Sequence, residues 1–175
     1  VSWSGGASDA AHDLAHDLAP AAEIGWRCLG QLFEAQAAAT PDAPALLLGE
    51  HALSYRELDA RAAWLARRLR ALGVGPEVTA GICMERSFDL VAAVLAVEKA
   101  GGAYVPLDPA LPAERMDYML EDARARVAIT HRRVEARVPR GAWTVLVADD
   151  DHADGDGAAL PADGLRGDAG LAAPH

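Results

Sequence analysis

The sequence predicts an α/β fold with a parallel, doubly wound sheet between residues 28 and 148. Helical periodicity and short apolar runs rich in Val and Ile alternate along this stretch. Strands that alternate with helices form parallel sheets with right-handed crossovers, so we expect helices on both faces. Apolar residues make up 51% of the 175 residues and the mean hydropathy is +0.04, which is typical of a globular domain with a core.

Two segments of different composition flank this stretch. Residues 1–27 are dominated by Ser, Gly, Ala and Asp and contain the tandem repeat AHDLAHDL, and residues 149–175 are acidic and rich in Gly and Pro. Neither segment can bury enough apolar area to offset its ordering entropy. We therefore expect an interdomain linker at 1–27 and a flexible acidic segment at 149–175.

The first elements of the α/β stretch are a helix and a hairpin. A helix is predicted from Cys28 to Ala39, ending before Pro41, which cannot continue it. Its expected apolar face consists of Leu29, Leu32 and Phe33, with Gln36. Residues 45–48 and 51–53 are predicted as the two strands of a hairpin turning at Gly49.

A second helix has clear start and stop signals. Ser54 fits the N-cap, and Glu57 three residues later completes a capping box. Leu53 and Leu58 flank the cap as a hydrophobic staple. An apolar stripe follows at Leu58, Ala62, Leu65, Leu69 and Leu72. Gly73 is placed to end this helix in a left-handed conformation.

The remaining elements alternate strictly. Strands are predicted at residues 79–84, 103–107, 127–130 and 144–147. A helix capped by Ser87 runs to Gly101, and another has Pro112 in its first turn and ends near Asp122. Ligands of such sheets bind beyond the carboxyl ends of the strands. Here that edge carries Glu85-Arg86, Leu107-Asp108 and Thr130-His131.

Several polar residues are candidates for catalytic or phosphate-binding groups. Lys99 precedes Gly101 and Gly102, whereas a phosphate loop has its lysine after the second glycine, so a capped helix end is the better interpretation. Ser54 and Ser87 are assigned capping roles. Asp108, in an Asp-Pro pair, is predicted to form a turn rather than act as a base. Tyr104 and Tyr118 are predicted to lie in the core or at its rim.

The candidate metal ligands and the cysteines are interpreted similarly. His12 and His16, with Asp13 and Asp17, share helical spacing for zinc but have no further ligands nearby. Residues 149–157 lack the ligand spacing of a calcium loop. Cys28 and Cys83 are expected to be small buried hydrophobes, without a disulfide or a catalytic role.

Charge and hydropathy limit the classes of partner. The net charge is −10, but residues 28–148 contain fifteen acidic and fourteen basic side chains. No basic stripe predicts nucleic-acid binding. No stretch approaches the roughly 20 apolar residues of a membrane span, and the start of the sequence lacks a signal-peptide pattern. We therefore expect a cytoplasmic location.

Four blocks of sequence, taken together, resemble a known family. They are LFEAQAAATPDAPAL at 32–46, LSYRELDARAAWLARRLRALGVGP at 53–76, GICMERS at 81–87 and KAGGAYVPLDPALPAERMDYMLEDA at 99–123. In this order and spacing they resemble the beginning of an adenylation domain of nonribosomal peptide synthetases. LSYREL resembles the first core motif of that family, and KAGGAYVPLDP resembles the second. Glu98 and Leu111 depart from the usual pattern at positions where a leucine and an aromatic residue are common.

The resemblance implies a specific chemistry for the complete domain. Such domains use ATP and Mg²⁺ to convert an amino acid to aminoacyl-AMP and pyrophosphate. They then transfer the acyl group to a phosphopantetheine thiol on a carrier domain. In the family, a Gly/Ser/Thr-rich loop ending in lysine, later ATP contacts and a lid lysine stabilise the charged transition state.

None of these catalytic residues maps onto the present sequence. We therefore expect no catalytic, cofactor-binding or metal site in this chain, and expect it to be inactive alone. The resemblance implies as partners the downstream remainder of the domain and carrier or condensation domains. Two alternatives remain: a non-enzymatic α/β docking or remnant module, and an acyl-CoA ligase fragment.

Overall fold

The computed structural model describes residues 28–148, which form a parallel sheet, the helices that cover it and a short hairpin. The elements are α1 (Leu29–Ala39), β1 (Pro44–Leu48), β2 (His51–Ser54), α2 (Tyr55–Ala71), β3 (Thr79–Cys83), α3 (Phe88–Ala100), β4 (Ala103–Leu107), α4 (Ala113–Asp122), β5 (Val127–Thr130), a 3-10 turn (Glu135–Arg137) and β6 (Thr144–Val147). The linkers predicted at 1–27 and 149–175 lie outside the described residues. Within the described part, no helix is long and apolar enough to cross a bilayer.

The main sheet has four parallel strands in the order β4-β3-β5-β6. This confirms the parallel sheet that the alternation of strands and helices predicts. From β3 the chain moves outward to β4 and then crosses back over β3 to β5. Because both crossovers are expected to be right-handed, this reversal places α3 and α4 on opposite faces. The sheet is therefore doubly wound, with a switch in strand order beside β3.

One face of the sheet is covered by α2 and α3. Alternate residues of the strands, such as Ile82, Ile129 and Leu146, point to this side and pack against Leu65 and Leu69 of α2. Four buried alanines of α3 contribute to this side: Ala92, Ala93, Ala96 and Ala100. Because these side chains are small, α2 and α3 lie close together.

The opposite face is covered by α4. Its Met116 and Leu120 are fully buried against Cys83 and Leu107. Gly81 in β3 makes room for them, since a Cβ at this position would lie 2.5 Å from Leu120 Cδ2. Pro112 is the N-cap of α4, one position before the first helical turn where it was expected.

The start of α2 confirms the predicted capping box. The Ser54 side chain accepts a hydrogen bond from the Glu57 backbone N–H, and Glu57 Oε2 accepts one from the Ser54 N–H at 2.8 Å. Hydrogen bonds from the Ser54 side chain and backbone lower the pKa of Glu57 below its ordinary value. Gly73 follows α2 with φ +84°, which confirms the predicted left-handed end.

The first helix differs from its predicted amphipathic pattern. Leu29 is 55% exposed and Gln36 is exposed, while the buried positions of α1 are Gly30 and Ala37. Gln36 instead donates to Thr40 Oγ1 at 2.8 Å, where the helix ends. Phe33, on the predicted face, does pack against the buried cluster around Leu58, so the prediction is correct in part. The other docking positions are the short side chains of the helix, and hydrophobic periodicity gives such residues little weight.

Candidate functional site

The carboxyl ends of β3, β4 and β5 meet at one edge of the sheet, which is where such folds bind ligands. Cys83 is in register with both Leu107 and Thr130, so the three strands end level with each other. Thr130 is fully buried, and its hydroxyl donates to the Cys83 carbonyl at 2.9 Å. This bond joins the ends of β3 and β5 and fixes the position of the residues that follow them.

A polar network lies beside this edge. Asp89 Oδ1 is 3.0 Å from Arg61, and Asp89 Oδ2 is 3.7 Å from His131 Nε2. Ser87 Oγ is 3.4 Å from the same ring nitrogen. The network links the start of α3 to α2 and to the end of β5. Sequence periodicity could not find it, because Arg61 and Asp89 are 28 residues apart and belong to different helices.

The geometry of this network does not fit a nucleophilic triad. A base histidine uses one ring nitrogen for the nucleophile and the other for the orienting carboxylate. Here the Ser87 hydroxyl and the Asp89 carboxylate both face Nε2 of His131. Ser87 Oγ also accepts a hydrogen bond from the Leu90 N–H at 3.1 Å. Ser87 is therefore the N-cap of α3, as predicted from the sequence.

One small pocket adjoins the network. A pocket next to Arg61, Trp64 and Asp89 has a volume of about 10 Å³. That volume holds about one water molecule. Neither a nucleotide nor an amino acid can enter this pocket.

Asp108 forms the turn that the sequence predicts. Its carboxylate accepts a hydrogen bond from the Ala110 N–H at 2.8 Å, and its carbonyl accepts one from the Leu111 N–H. The same loop is held by Arg137, whose Nε donates to the Pro109 carbonyl at 3.1 Å. The Asp108 side chain is exposed. Its carboxylate forms part of this turn and so positions the loop that follows β4.

Lys99 is held by two carboxylates. Its Nζ lies 2.5 Å from Glu34 Oε1 and 3.1 Å from Asp59 Oδ1, and its side chain is 10% exposed. Burial by itself lowers the pKa of Lys99, but the bonds to Glu34 and Asp59 outweigh it and raise the pKa above its ordinary value. The ammonium group is therefore committed to an ion-pair cluster between helices.

The two glycines after Lys99 are required by the backbone. Gly101 ends α3 with φ +83°, a conformation that favours glycine. A Cβ on Gly102 would lie 2.7 Å from Val74 Cγ1 and 2.9 Å from the Val78 carbonyl oxygen. These contacts support the interpretation of KAGG as a helix end that leads closely into β4.

The cysteines differ from each other. Cys83 is fully buried, and burial raises its pKa, with a smaller contribution in the same direction from Asp108. Such a thiol is inert rather than nucleophilic. Cys28 is exposed, so the expectation that both are buried is wrong for this residue. It lies at the N-cap of α1, outside the core.

The remaining candidates give no assembled site. Tyr104 and Tyr118 are 40% and 57% exposed, which places them at the rim. Residues 28–148 contain no group of three or more His, Cys, Asp or Glu side chains that could hold a metal ion. The zinc candidate at His12 and His16 and the run at 149–157 lie outside the described residues.

Comparison with known proteins identifies the family. Residues 33–166 match the model of the AMP-binding enzyme family. The match covers more than half of the sequence, and the chain belongs to this family.

The sequence relatives include several peptide synthases. The chain is 49% identical over 123 residues to one of the subunits of linear gramicidin synthase from Brevibacillus parabrevis, covering 70% of the chain and 2% of that protein. It is 44% identical over 138 residues to surfactin synthase subunit 1 of Bacillus subtilis, covering 76% of the chain and 4% of that protein. The resemblance to nonribosomal peptide synthetases is thereby confirmed.

Solved structures confirm the fold. The nonribosomal peptide synthetase FmoA3, in a form with bound α-methyl-L-serine-AMP, is 37% identical with a TM-score of 0.69, over 77% of this chain and 15% of that one. The N-terminal subdomain of Klebsiella oxytoca NpsA is 30% identical with a TM-score of 0.63, over 70% of this chain and 31% of that one. The chain thus spans less than a third of each of these relatives.

Proposed function

We propose that this chain supplies the leading part of an adenylation domain that activates an amino acid for nonribosomal peptide synthesis. The complete domain would join the amino acid to AMP, release pyrophosphate and pass the acyl group to a carrier-domain phosphopantetheine thiol. Family membership and the peptide-synthase names of the relatives support this proposal. The four relatives described above are linear gramicidin synthase, surfactin synthase subunit 1, FmoA3 and NpsA, and none of them is named as an acyl-CoA ligase or as a docking module.

The role proposed for these residues is structural. Lys99 is the sole lysine of the sequence, and it is held by Glu34 and Asp59 between helices. The family's chemistry needs a lysine at the phosphate loop and another on a lid, and Lys99 stands in neither place. This observation carries the proposal that residues 28–148 build the scaffold and that the chemistry belongs to the rest of the domain.

ATP and Mg²⁺ are accordingly assigned to the complete domain. Membership of the AMP-binding enzyme family supports this assignment. The proposed partners are the remainder of the adenylation domain and the carrier and condensation domains of one synthetase, in the cytoplasm. A solved relative, NpsA-ThdA, is an artificially fused adenylation–PCP di-domain.

The proposal is tested by assaying the 175-residue chain for amino-acid-dependent exchange of pyrophosphate into ATP. An adenylation domain of linear gramicidin synthase serves as the positive control. We expect exchange by the control and none by the chain with any proteinogenic amino acid. Exchange by the chain alone would show that it contains a working active site and would overturn the scaffold role.

A further inference from the structure

Apolar packing holds α1 only weakly. The buried residues of this helix are Gly30 and Ala37, which contribute little apolar area. Leu29 is 55% exposed and Leu32 is half-buried, whereas Phe33 packs against the buried cluster around Leu58, with its ring centroid 5.8 Å from that of Tyr55. By contrast, α2 buries three leucines in the core. Phe33 is thus the main apolar anchor of α1, and the polar contacts of the helix add to it.

The space between α1 and α2 is a groove rather than a packed interface. Its volume is about 560 Å³ and it is open to solvent. The charged residues that line the groove are Glu34, Arg56, Asp59 and Lys99. The groove is open to solvent, and the contact of α1 with α2 is less extensive than that of α2 with α3.

Lys99 connects the three helices at this groove. It belongs to α3, and its ammonium group lies between Glu34 of α1 and Asp59 of α2. The Phe33 ring centroid is 6.0 Å from Nζ. The lysine side chain is 10% exposed, whereas the side chains of Glu34 and Asp59 are 55% and 40% exposed, so only the lysine end of each pair is shielded from solvent. Without the ammonium group, Glu34 and Asp59 would face each other with like charges.

We propose that Lys99 is a latch that docks α1, and that α1 opens as a separate unit while the sheet and its other helices stay folded. Local units with few buried contacts open at lower free energy than the core. This helix also joins residues 1–27 to the α/β core. As a helix, the 11 residues of α1 span about 16 Å. When α1 opens, these residues become part of the connection between residues 1–27 and the α/β core.

Amide hydrogen exchange of the 175-residue chain, resolved along the sequence, tests this latch. The variant Lys99→Met removes the charge and keeps a long unbranched side chain. The matched control is Arg56→Met, which lines the same groove but breaks an exposed pair with Asp42 in which the two side chains are 64% and 82% exposed. A milder variant, Glu34→Gln, removes the charge on the α1 side.

With Lys99→Met, amides of α1 should exchange about tenfold faster, while those of β3 and α3 keep their protection. Arg56→Met should leave α1 unchanged within about twofold. Unchanged exchange of α1 in Lys99→Met would overturn the latch, and so would a uniform increase across the core. If Lys99→Met fails to fold, the same measurement is made on Glu34→Gln. Faster exchange of the α1 amides than of those in β3 and α3 would then support the latch, and unchanged exchange of α1 would overturn it.

Discussion

At the scale of single residues, the turn from α3 into β4 is determined by the close approach of three chain segments. Gly101 supplies the left-handed end of the helix, and Gly102 then passes next to Val74 and the Val78 carbonyl. The Gly102 N–H donates to the Val97 carbonyl at 3.0 Å, and the Ala103 N–H donates to the Val78 carbonyl at 3.0 Å. Backbone geometry thus explains why the two positions after Lys-Ala in KAGG are glycines.

The first prediction concerns Gly102. Gly102→Ala should lower the free energy of unfolding by about 1–3 kcal/mol, because its Cβ has no room beside backbone oxygen and Val74. Gly75→Ala is the matched control, since no atom lies within 4 Å of a Cβ there, and it should be neutral or slightly stabilising. Urea unfolding of both variants measures the difference. Equal stability of the two variants would contradict the close approach.

A second prediction concerns the thiols. Cys28 is exposed and Cys83 is buried beside Met116, 3.9 Å from its sulfur. Since burial also raises the pKa of Cys83, little of it is thiolate at neutral pH. An aromatic disulfide reagent should therefore modify Cys28 rapidly in the native chain and Cys83 only after unfolding. Rapid reaction in a Cys28→Ala variant would show that Cys83 is accessible.

At the scale of elements, local sequence signals predicted where the helices begin and end. Which residues of a helix are buried, and which polar groups meet, depends on packing between elements. Ser54, Ser87 and Gly101 cap helices where the sequence predicts. The apolar face of α1 was predicted in part: Phe33 packs against the core as expected. The docking of Gly30 and Ala37 was not predictable, because it depends on their small size and on the neighbouring helices. The polar network around Asp89 was missed for a related reason, since it joins three elements and no local spacing records it.

The capping box gives a prediction at this scale. Ser54→Ala removes the acceptor of the Glu57 N–H and should lower the free energy of unfolding by about 1 kcal/mol. Ser54→Thr keeps a hydroxyl at the cap and should cost less. Thermal or urea unfolding followed by circular dichroism compares the two. A loss from Ser54→Thr as large as that from Ser54→Ala would mean that the cap bond contributes nothing.

At the scale of the whole molecule, the two faces of the sheet are covered and the strand order reverses beside β3. Alternation of strands and helices predicted this architecture, whereas the strand order β4-β3-β5-β6 emerged only from the structure. The carboxyl edge is occupied by Thr130, Ser87 and the Asp89 network. The described residues thus have the topology of a ligand-binding parallel sheet, and the role that we propose for them is that of a scaffold.

On the proposed function, residues 28–148 are a scaffold that is interchangeable with the corresponding part of an adenylation domain. The most direct test replaces the matching segment of an adenylation domain of linear gramicidin synthase, 49% identical over 123 residues, with this segment. Amino-acid-dependent pyrophosphate exchange is then measured with the host's substrate and with other amino acids. We expect the hybrid to exchange pyrophosphate with the host's own amino acid preference. A folded hybrid that is inactive, or one whose preference changes, would contradict a purely structural role for these residues.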